Sequence, residues 1–489
     1  MARRATTAGG AQIPARPGPG RVAKRAEQTA DRMVGDVIAM GWPAGALLGS
    51  EAELLERYGV SRAVFREAVR LVENQQVART RRGPGGGLII TEPSVGAVID
   101  AVVLYLYRVE ARLDELFEAR IVLEGIVTSL APGRLDEPGR ESLRLFLQAG
   151  EPGRDADPRA LHTLLASITG NPALELFVDV LNRVTMLYST HWQTLGPAIG
   201  AESGRAHARI AGAVIAGDSG LAGSRMRRHL EAERDVLHSR RSTTELLPDH
   251  VVVVSEAGDG KRAEAVARRI TQEIVGAGMR PGTLVGAEKD LIEQEGVSRA
   301  VLREAVRLLE HHQIARMRRG PGGGLFVFEP SAGGVTEIAA IYLARRGVQL
   351  ASLGELRTNV EVALAGLAAE RIDAAGVTVL RDAISQEQAA DGDEHHEAAG
   401  DLHTAVALIA RSRVLELVAL VLVRLSRLGG IEQLAGQART DAHADMLGAH
   451  EGIAVAVQAG DRELAMDRMR RHLNEVAARF SAPDAPGCC

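Results

Sequence analysis

Cysteine is almost absent from this chain, because its two cysteines, Cys488 and Cys489, sit side by side at the C-terminal end. Adjacent cysteines on a polar tail cannot cross-link a core, so we expect a fold without disulfides, as is typical of the reducing cytoplasm. Aromatic residues are also scarce, at 3% of the 489 residues. Alanine, leucine, valine, arginine and glutamate abound instead, which favours helix over sheet.

Long apolar runs and an excess of positive charge are missing as well. The most apolar stretch, VLELVALVLVRL from Val414, is too short to span a bilayer, and the basic N-terminus lacks the apolar segment of a signal peptide. We therefore expect a soluble, cytoplasmic protein with no membrane partner. The net charge of −5 argues against a generally polyanion-binding surface but leaves room for local basic patches.

What the chain does contain is an internal repeat. Ser61–Gly96 aligns without a gap on Ser298–Gly333, with roughly 26 identities in 36 positions. Weaker similarity extends upstream and to the end of each half, so the repeat unit is about 240 residues long, the size of a whole two-domain protein. The sequence therefore predicts a fused dimer, that is, an intramolecular pseudo-dimer.

Each repeat begins with a pattern typical of DNA-binding domains. In the first, a helical pattern over 22–40 is followed by a short helix that ends at Gly59 and by a third helix capped by Ser61. The apolar stripe predicted for this third helix consists of Val64, Ala68, Val69 and Val72. Two short strands around a glycine-rich tip come next. The pattern predicts a helix-turn-helix with a β-hairpin wing.

These residues resemble the GntR family of bacterial repressors, specifically its FadR-like branch. The resemblance rests on GVSRAVFREAVRLVE, on the Arg-Gly wing tip and on a C-terminal histidine pattern, and it covers nearly all of both halves. It implies that arginines of the third helix and the wing tip contact DNA. The positions it indicates are Arg62, Arg66, Arg82 and Gly83 in the first half and Arg299, Arg303, Arg319 and Gly320 in the second. Arginine suits guanine edges and phosphates alike, so which contacts specify sequence stays open.

One position departs from the family pattern. Where the family usually has an arginine between two acidic residues early in the second helix, this chain has Ala52 in the first half and Lys289 in the second. The first half is therefore expected to bind DNA less tightly than the second, or to recognise a different half-site.

The rest of each repeat shows helical patterns interrupted by polar breaks, which predicts an antiparallel bundle of about six or seven helices. The predicted fold is thus mainly α, with two winged helix-turn-helix domains that are each followed by an all-α bundle. The predicted boundaries are a disordered arm 1–20, a winged domain 21–94, a helical effector domain 95–240, a linker 241–260, a second winged domain 261–331, a second effector domain 332–481 and a tail 482–489.

Histidines recur at matching places in the two helical domains. His207 and His229 each lie eleven residues from Asp218, so a turn at that aspartate brings both imidazoles to the same level of a helical hairpin. His450 and His472 repeat this spacing around Asp461, and His162 aligns with His403. Three neutral imidazoles that converge inside a bundle predict a zinc or nickel site with open positions. The alternative is that each histidine is a hydrogen-bonded core or surface residue.

The resemblance implies a divalent metal and a small carboxylate effector in these bundles. The family's fourth metal ligand, an aspartate four residues before the first histidine, is missing here, because Pro158 and Ala399 occupy the two places. This loss predicts weaker metal binding. Arg120 and Arg357 match a conspicuous family arginine and could contact an anionic effector, or pair with Glu124 and Glu361 one turn on.

The sequence therefore predicts a DNA-binding transcriptional regulator, a repressor rather than an enzyme, whose single chain supplies both heads for two half-sites of a double-stranded operator. A small carboxylate and a divalent metal are expected to control it from the helical domains. One alternative is a metal-dependent enzyme that uses the three-histidine pockets. Another is a regulator with one degenerate head, and further dimerisation of the fused chain stays open.

Overall fold

The structure is a computed structural model that describes residues 21–81, 83, 86–148, 159–187, 197–239, 261–311, 314–318, 320, 322–328, 332–389, 394–428 and 441–480. The chain divides into two compact units, Met1–Glu92 and Pro93–Cys489. The predicted arm, linker and tail lie outside the described residues. Among the described helices, none combines the length and apolar character needed to cross a bilayer.

The described part of the first unit consists of helices and one small sheet. The elements are α1 (Arg21–Ala39), β1 (Leu47–Gly49), α2 (Glu51–Tyr58), α3 (Arg62–Asn74), β2 (Ala78–Arg81) and β3 (Gly87–Ile90). Strand β3 lies between β1 and β2 and is antiparallel to both. The predicted hairpin corresponds to β2 and β3. Strand β1 was not predicted, because three residues are too few to show an alternating pattern.

Capping residues fix the turn between α2 and α3. The hydroxyl of Ser50 accepts a hydrogen bond from the backbone N–H of Glu53, whose carboxylate accepts one in return from the Ser50 N–H, so α2 begins with a capping box. Gly59 ends the helix in the left-handed conformation, at φ +63°. Ser61 then caps α3 through the N–H of Val64. These contacts set the short turn that a helix-turn-helix requires.

The buried face of α3 differs in one position from the predicted stripe. Val64, Ala68 and Val72 are buried as expected. Val69 is only half-buried, and Phe65 is buried in its stead. Phe65, Ala68 and Val72 follow one another at spacings of three and four, which places them on a single helical face.

The second unit begins with seven described helices and a repeat of the helix-and-sheet order of the first unit. The helices are α4 (Val95–Arg108), α5 (Leu113–Arg134), α6 (Glu137–Gln148), α7 (Ala160–Ile168), α8 (Pro172–Leu187), α9 (Pro197–Ile215) and α10 (Ser219–Ser239). The repeated order is α11 (Lys261–Gly276), β4 (Leu284–Gly286), α12 (Glu288–Glu295), α13 (Arg299–His311), β5 (Ala315–Arg318) and β6 (Gly324–Val327). Here β6 lies between β4 and β5.

A second set of seven described helices completes the second unit. They are α14 (Ala332–Arg345), α15 (Leu350–Arg371), α16 (Ala374–Ala389), α17 (Glu394–Ile409), α18 (Arg413–Leu428), α19 (Asp441–Gln458) and α20 (Arg462–Phe480). The long helix α5 packs against α7, α8, α9 and α10, and α15 packs correspondingly against α17, α18, α19 and α20. The chain is mainly helical, as predicted, and each set contains seven helices among the described residues.

The two sets of helices contact each other through reciprocal ion pairs. Arg134 contacts Glu355 at 2.8 Å, and Arg371, the repeat equivalent of Arg134, contacts Glu118, the equivalent of Glu355, at 2.5 Å. Each arginine also donates to a backbone carbonyl at the end of a helix in its own half. Helices α4 and α14, which are equivalent, pack against one another. Each ion pair between the two halves is thus repeated, with the arginine and the glutamate supplied by the opposite halves.

Candidate functional site

The predicted DNA-contacting arginines of the third helices lie on exposed surfaces. Arg62 and Arg66 are exposed on α3, one helical turn apart, and Arg299 and Arg303 are exposed in the same arrangement on α13. Val64 and Phe65 on α3 and Leu302 on α13 are buried on the opposite face, so each helix presents its guanidinium groups outward.

The two helices differ in how these arginines are held. Glu288 at the start of α12 accepts a hydrogen bond from Arg299 at 2.8 Å and lies 3.7 Å from Arg303. The hydrogen bond and the charge of Glu288 raise the pKa of Arg299 above its usual value. In the first unit the equivalent acid, Glu51, is exposed, and no ion pair to Arg62 is found among the described residues.

The wing tips are described in part. Gly83 and Gly320 both adopt φ +99°, a conformation that favours glycine. Their predicted partners, Arg82 and Arg319, lie outside the described residues. The wing of the second repeat contains an extra contact, in which the guanidinium of Arg318 lies 4.2 Å from the centre of the Phe326 ring.

The three histidines of the first helical domain come together in the interior. Asp218 lies between α9 and α10 and accepts a hydrogen bond from the backbone N–H of Leu221 at the start of α10. The Nε2 atoms of His207, on α9, and His229, on α10, are 3.0 Å apart. His162 enters from α7, with its Nε2 3.2 Å from that of His207. All three imidazoles are buried. The spacing in sequence, eleven residues on either side of a turn, thus places the rings level with each other.

A buried carboxylate lies beside this cluster. Glu124 on α5 contacts Nδ1 of His162 and so orients this ring, whose Nε2 faces His207. Burial alone would raise the pKa of Glu124, but His162 and Arg120 outweigh it and lower the pKa to about 2. Burial, followed by the neighbouring imidazoles, lowers the pKa of His207 to about 2. His207 is therefore neutral at neutral pH, and Glu124 is ionised.

Arg120 is the centre of a second buried network beside the histidines. Its Nε donates to Glu124 at 2.8 Å, so the one-turn ion pair suggested by the sequence is present. Its other nitrogens donate to Glu233 at 2.9 Å, to Asn182 at 2.9 Å and to Thr185 at 3.3 Å. The guanidinium thus donates four hydrogen bonds to side chains of this domain.

The second helical domain repeats the histidine cluster, with an additional carboxylate in contact with it. His403 contacts Glu361, Arg357 donates to the same carboxylate at 2.5 Å, and the Nε2 atoms of His450 and His472 are 3.2 Å apart. Nδ1 of His450 also contacts a buried carboxylate, Glu387 of α16, at 2.8 Å. Burial, then His403 and His450, lower the pKa of His472 to about 2.

Glu387 was missed by the sequence analysis, although a signal exists. Leu380, Ala383 and Glu387 recur at helical spacing on the buried face of α16. A carboxylate on an otherwise apolar face is costly unless it has a partner, and here the partner is His450. The roles of Glu124 and Glu361 toward histidine Nδ1 were also missed, since the sequence indicated them only as arginine partners.

The donor atoms fit a divalent transition metal. Histidine nitrogens bind such ions at about 2.0–2.1 Å, so two ligands on one ion lie roughly 2.9–3.4 Å apart. The Nε2 separations of 3.0 and 3.2 Å fall in that range. In each domain the three histidines offer ligand atoms that lie within 4.8 Å of one another. Carboxylates contact Nδ1 of His162, His403 and His450, and a contact of this kind orients an imidazole toward a metal.

The position of the family's fourth ligand offers no donor in the second domain. Ala399 lies in α17, and its methyl side chain cannot ligate a metal. Pro158, its counterpart, lies outside the described residues. In the absence of an aspartate, the described ligand set consists of three imidazoles, so an ion bound there would retain open positions for other donors.

Family comparisons identify both kinds of domain. The FCD domain matches residues 115–232 and 352–475, which cover the core of the two helical domains. The family described as bacterial regulatory proteins of the gntR type matches residues 262–327, which comprise α11 to β6.

Curated relatives are regulators of similar kind. RmpR of Mycobacterium gastri, named as a candidate HTH-type transcriptional regulator, is 29% identical over 114 residues, or 23% of this chain and 42% of its own length. The HTH-type transcriptional regulator LutR of Bacillus subtilis is 29% identical over 140 residues, or 28% of this chain and 63% of its own length. The matches therefore span less than two thirds of either relative.

Solved structures are also similar to about half of the chain. Streptococcus agalactiae GntR is 22% identical, with a TM-score of 0.34, and its whole chain is covered by 45% of this one. A GntR family member from Pseudomonas syringae is 17% identical, with a TM-score of 0.23, over 47% of this chain and 89% of its own. E. coli McbR/YncC is 17% identical, with a TM-score of 0.24, over 45% of this chain and 97% of its own.

Proposed function

This chain is a GntR-family regulator with two FCD domains, and from that premise we propose that it binds DNA through two winged heads carried by one polypeptide. The observation that carries the proposal is the duplicated pair of exposed arginines, Arg62 with Arg66 and Arg299 with Arg303, on equivalent helices. The family match and the regulator relatives point to a transcription factor and not to an enzyme.

The proposed arrangement of the heads is an intramolecular pseudo-dimer. Two copies of one DNA-binding domain are what a two-fold operator requires, and they are usually supplied by two chains. The reciprocal pairs Arg134–Glu355 and Arg371–Glu118 support this proposal, because an isologous interface repeats each contact with the partners exchanged. Covalent linkage raises the effective concentration of the second head and permits the two heads to diverge.

The test is fluorescence anisotropy of the full chain on DNA from its own upstream region, over a salt series. Arg66→Ala and Arg303→Ala are each expected to weaken specific binding roughly 5- to 150-fold, the equivalent of about 1–3 kcal/mol for a base contact. If an arginine contacts phosphate instead, its loss weakens all DNA alike and lowers the salt dependence by about one charge. The double variant is expected to retain only non-specific affinity.

Arg183→Ala serves as the matched control for this experiment. Arg183 lies in the first helical domain, is exposed and pairs with Asp179, so its removal changes net charge equally without touching either head. Sensitivity to Arg303→Ala alone would indicate that the first head is degenerate. Insensitivity to both head variants, with specific binding intact, contradicts the proposed contacts.

We propose further that the helical domains hold a divalent ion and a small carboxylate effector that together control repression. His162, His207 and His229 would hold an ion in the first domain, and His403, His450 and His472 in the second. The ion would supply a Lewis-acidic site for a carboxylate. An effector that binds one arrangement of the domains more tightly than another increases the population of that arrangement. The affinity of the heads for the operator then changes, because it depends on how the heads are placed.

Metal removal provides a separate prediction. The protein saturated with Zn²⁺ and freed of excess is expected to contain two ions per chain, and a chelator is expected to lower its melting temperature. His207→Ala should reduce the content to one ion, since it removes the ligand closest to the other two in the first domain. His238→Ala is the control, because His238 lies on the same helix pair but pairs with Asp114 near the surface.

Elemental analysis and differential scanning calorimetry measure the two quantities. Equal zinc content in the wild type, His207→Ala and His238→Ala would count against the proposed ligands.

A further inference from the structure

The two histidine clusters differ in the residues at equivalent positions around the central arginine. Both have the same core, in which an arginine and a histidine share one buried carboxylate: Arg120, Glu124 and His162 in the first domain, and Arg357, Glu361 and His403 in the second. The differing positions, first domain before second, are Asn182 and Val423, Thr185 and Ser426, and Glu233 and Val476.

In the first pocket the chain supplies its own second carboxylate. Glu233 follows His229 by one helical turn on α10, so both side chains point to the same side. Its Oε2 lies 2.9 Å from Nη1 of Arg120 and 4.0 Å from Nε2 of His229. The carboxylate thus sits between the guanidinium and the imidazole cluster. A cavity lined by His229 and Glu233, among others, has a volume of about 10 Å³, enough for roughly one water molecule.

The second helical domain lacks that carboxylate. The position equivalent to Glu233 is Val476, and the position equivalent to Asn182 is Val423, so neither can accept a hydrogen bond from Arg357 through its side chain. Among the residues that the structure describes, the ion pair of Arg357 is with Glu361, which His403 shares. The Arg357 side chain is 18% exposed, whereas that of Arg120 is 1% exposed.

Charge compensation therefore differs between the two domains. Among the residues that the structure describes, Arg120 faces two carboxylates, and Arg357 faces one, which it shares with an imidazole. A guanidinium presents a planar fork of N–H groups that matches a carboxylate, and partly buried charges favour a partner that satisfies them. A small carboxylate at the Val476 side of Arg357 would repeat the arrangement that Glu233 makes in the first domain.

We infer that the second helical domain is the one that takes a free carboxylate, and that Glu233 closes the first by occupying the equivalent position. The inference rests on the proposed function only for the class of effector. The fused chain would therefore bind one effector molecule, whereas a dimer of identical subunits would bind two. Gene fusion permits this difference, since each half can change without its equivalent.

The probe is acetate, and chloride at matched ionic strength is the reference. The measurement is the melting temperature of the full-length, zinc-loaded protein without DNA. A ligand that binds the folded state raises the melting temperature. Acetate is expected to raise that of the wild type, and Val476→Glu and Arg357→Ala are each expected to abolish the rise. Glu233→Ala is expected to melt lower than the wild type in chloride and to regain stability in acetate, because acetate replaces the missing side chain.

Asp235→Ala is the control for Glu233→Ala, because Asp235 is an exposed acid on the same helix and should leave both melting temperatures unchanged. An undiminished acetate effect in Val476→Glu, no acetate effect in the wild type, or no recovery of Glu233→Ala overturns the inference. Failure to bind DNA in the anisotropy experiment would leave these results as they are, so the two proposals can fail separately.

Discussion

Arg120→Ala is expected to destabilise the first helical domain by about 3–5 kcal/mol, the cost of removing one partner from a buried charge network. The substitution leaves Glu124 and Glu233 without their common cation, and Asn182 and Thr185 without a donor. Both stranded carboxylates then have to become protonated or admit water. The loss should reach the histidine cluster too, because Glu124 orients His162.

Urea unfolding followed by hydrogen exchange in α5 and α10 measures this effect domain by domain, which a chain of several domains requires. Arg357→Ala is the matched variant in the second domain and is expected to cost less, since it removes one ion pair from a partly exposed site. The double variant Arg120→Ala, Glu233→Ala should be less destabilised than Arg120→Ala, because one buried charge leaves with its partner. Equal losses from Arg120→Ala and Arg357→Ala would contradict the asymmetry of the two pockets.

Local patterns carried most of what the sequence predicted. Ser61, Gly59 and the apolar spacing of α3 are neighbours along the chain, so helix bounds and caps follow from them with errors of about a residue. The positions of His207 and His229 around Asp218 are also local, because a helical hairpin folds back at its turn. The repeat supplied an internal control, since a pattern seen twice is rarely accidental.

What the sequence could not predict depends on contacts between distant segments. Glu387 meets His450, and Glu233 meets Arg120, only after several helices have packed together. The pairs Arg134–Glu355 and Arg371–Glu118 connect residues in different repeats. Nothing in the spacing of these residues within one helix indicates the partner. The short strand β1 was missed for a different reason, because its pairing with β3 is set by the sheet and not by its own three residues.

In the wing, the addition of a single methyl group is expected to destabilise the fold about as much as Arg120→Ala does. A Cβ on Gly87 would lie 2.5 Å from the carbonyl oxygen of Gly49, and one on Gly324 would lie 2.6 Å from that of Gly286. Both contacts are with the backbone of the neighbouring first strand, which cannot move without breaking the sheet. Gly87 also has φ +156°, and Gly324 has φ +159°, values that other residues rarely adopt.

Gly87→Ala and Gly324→Ala are each expected to cost about 2–5 kcal/mol through overpacking and backbone strain, and to open the wing of one head. Gly83→Ala and Gly320→Ala are the controls, because a Cβ at either position meets nothing within 4 Å and only the backbone strain remains. Hydrogen exchange in β2 and β3, or in β5 and β6, reports the opening, and anisotropy on DNA reports its consequence. If the chain supplies both heads of one operator, either single variant weakens specific binding and the pair abolishes it. Full binding by Gly87→Ala with an open wing would show that the first head is dispensable, because a head that contacts its half-site cannot lose its wing without loss of affinity.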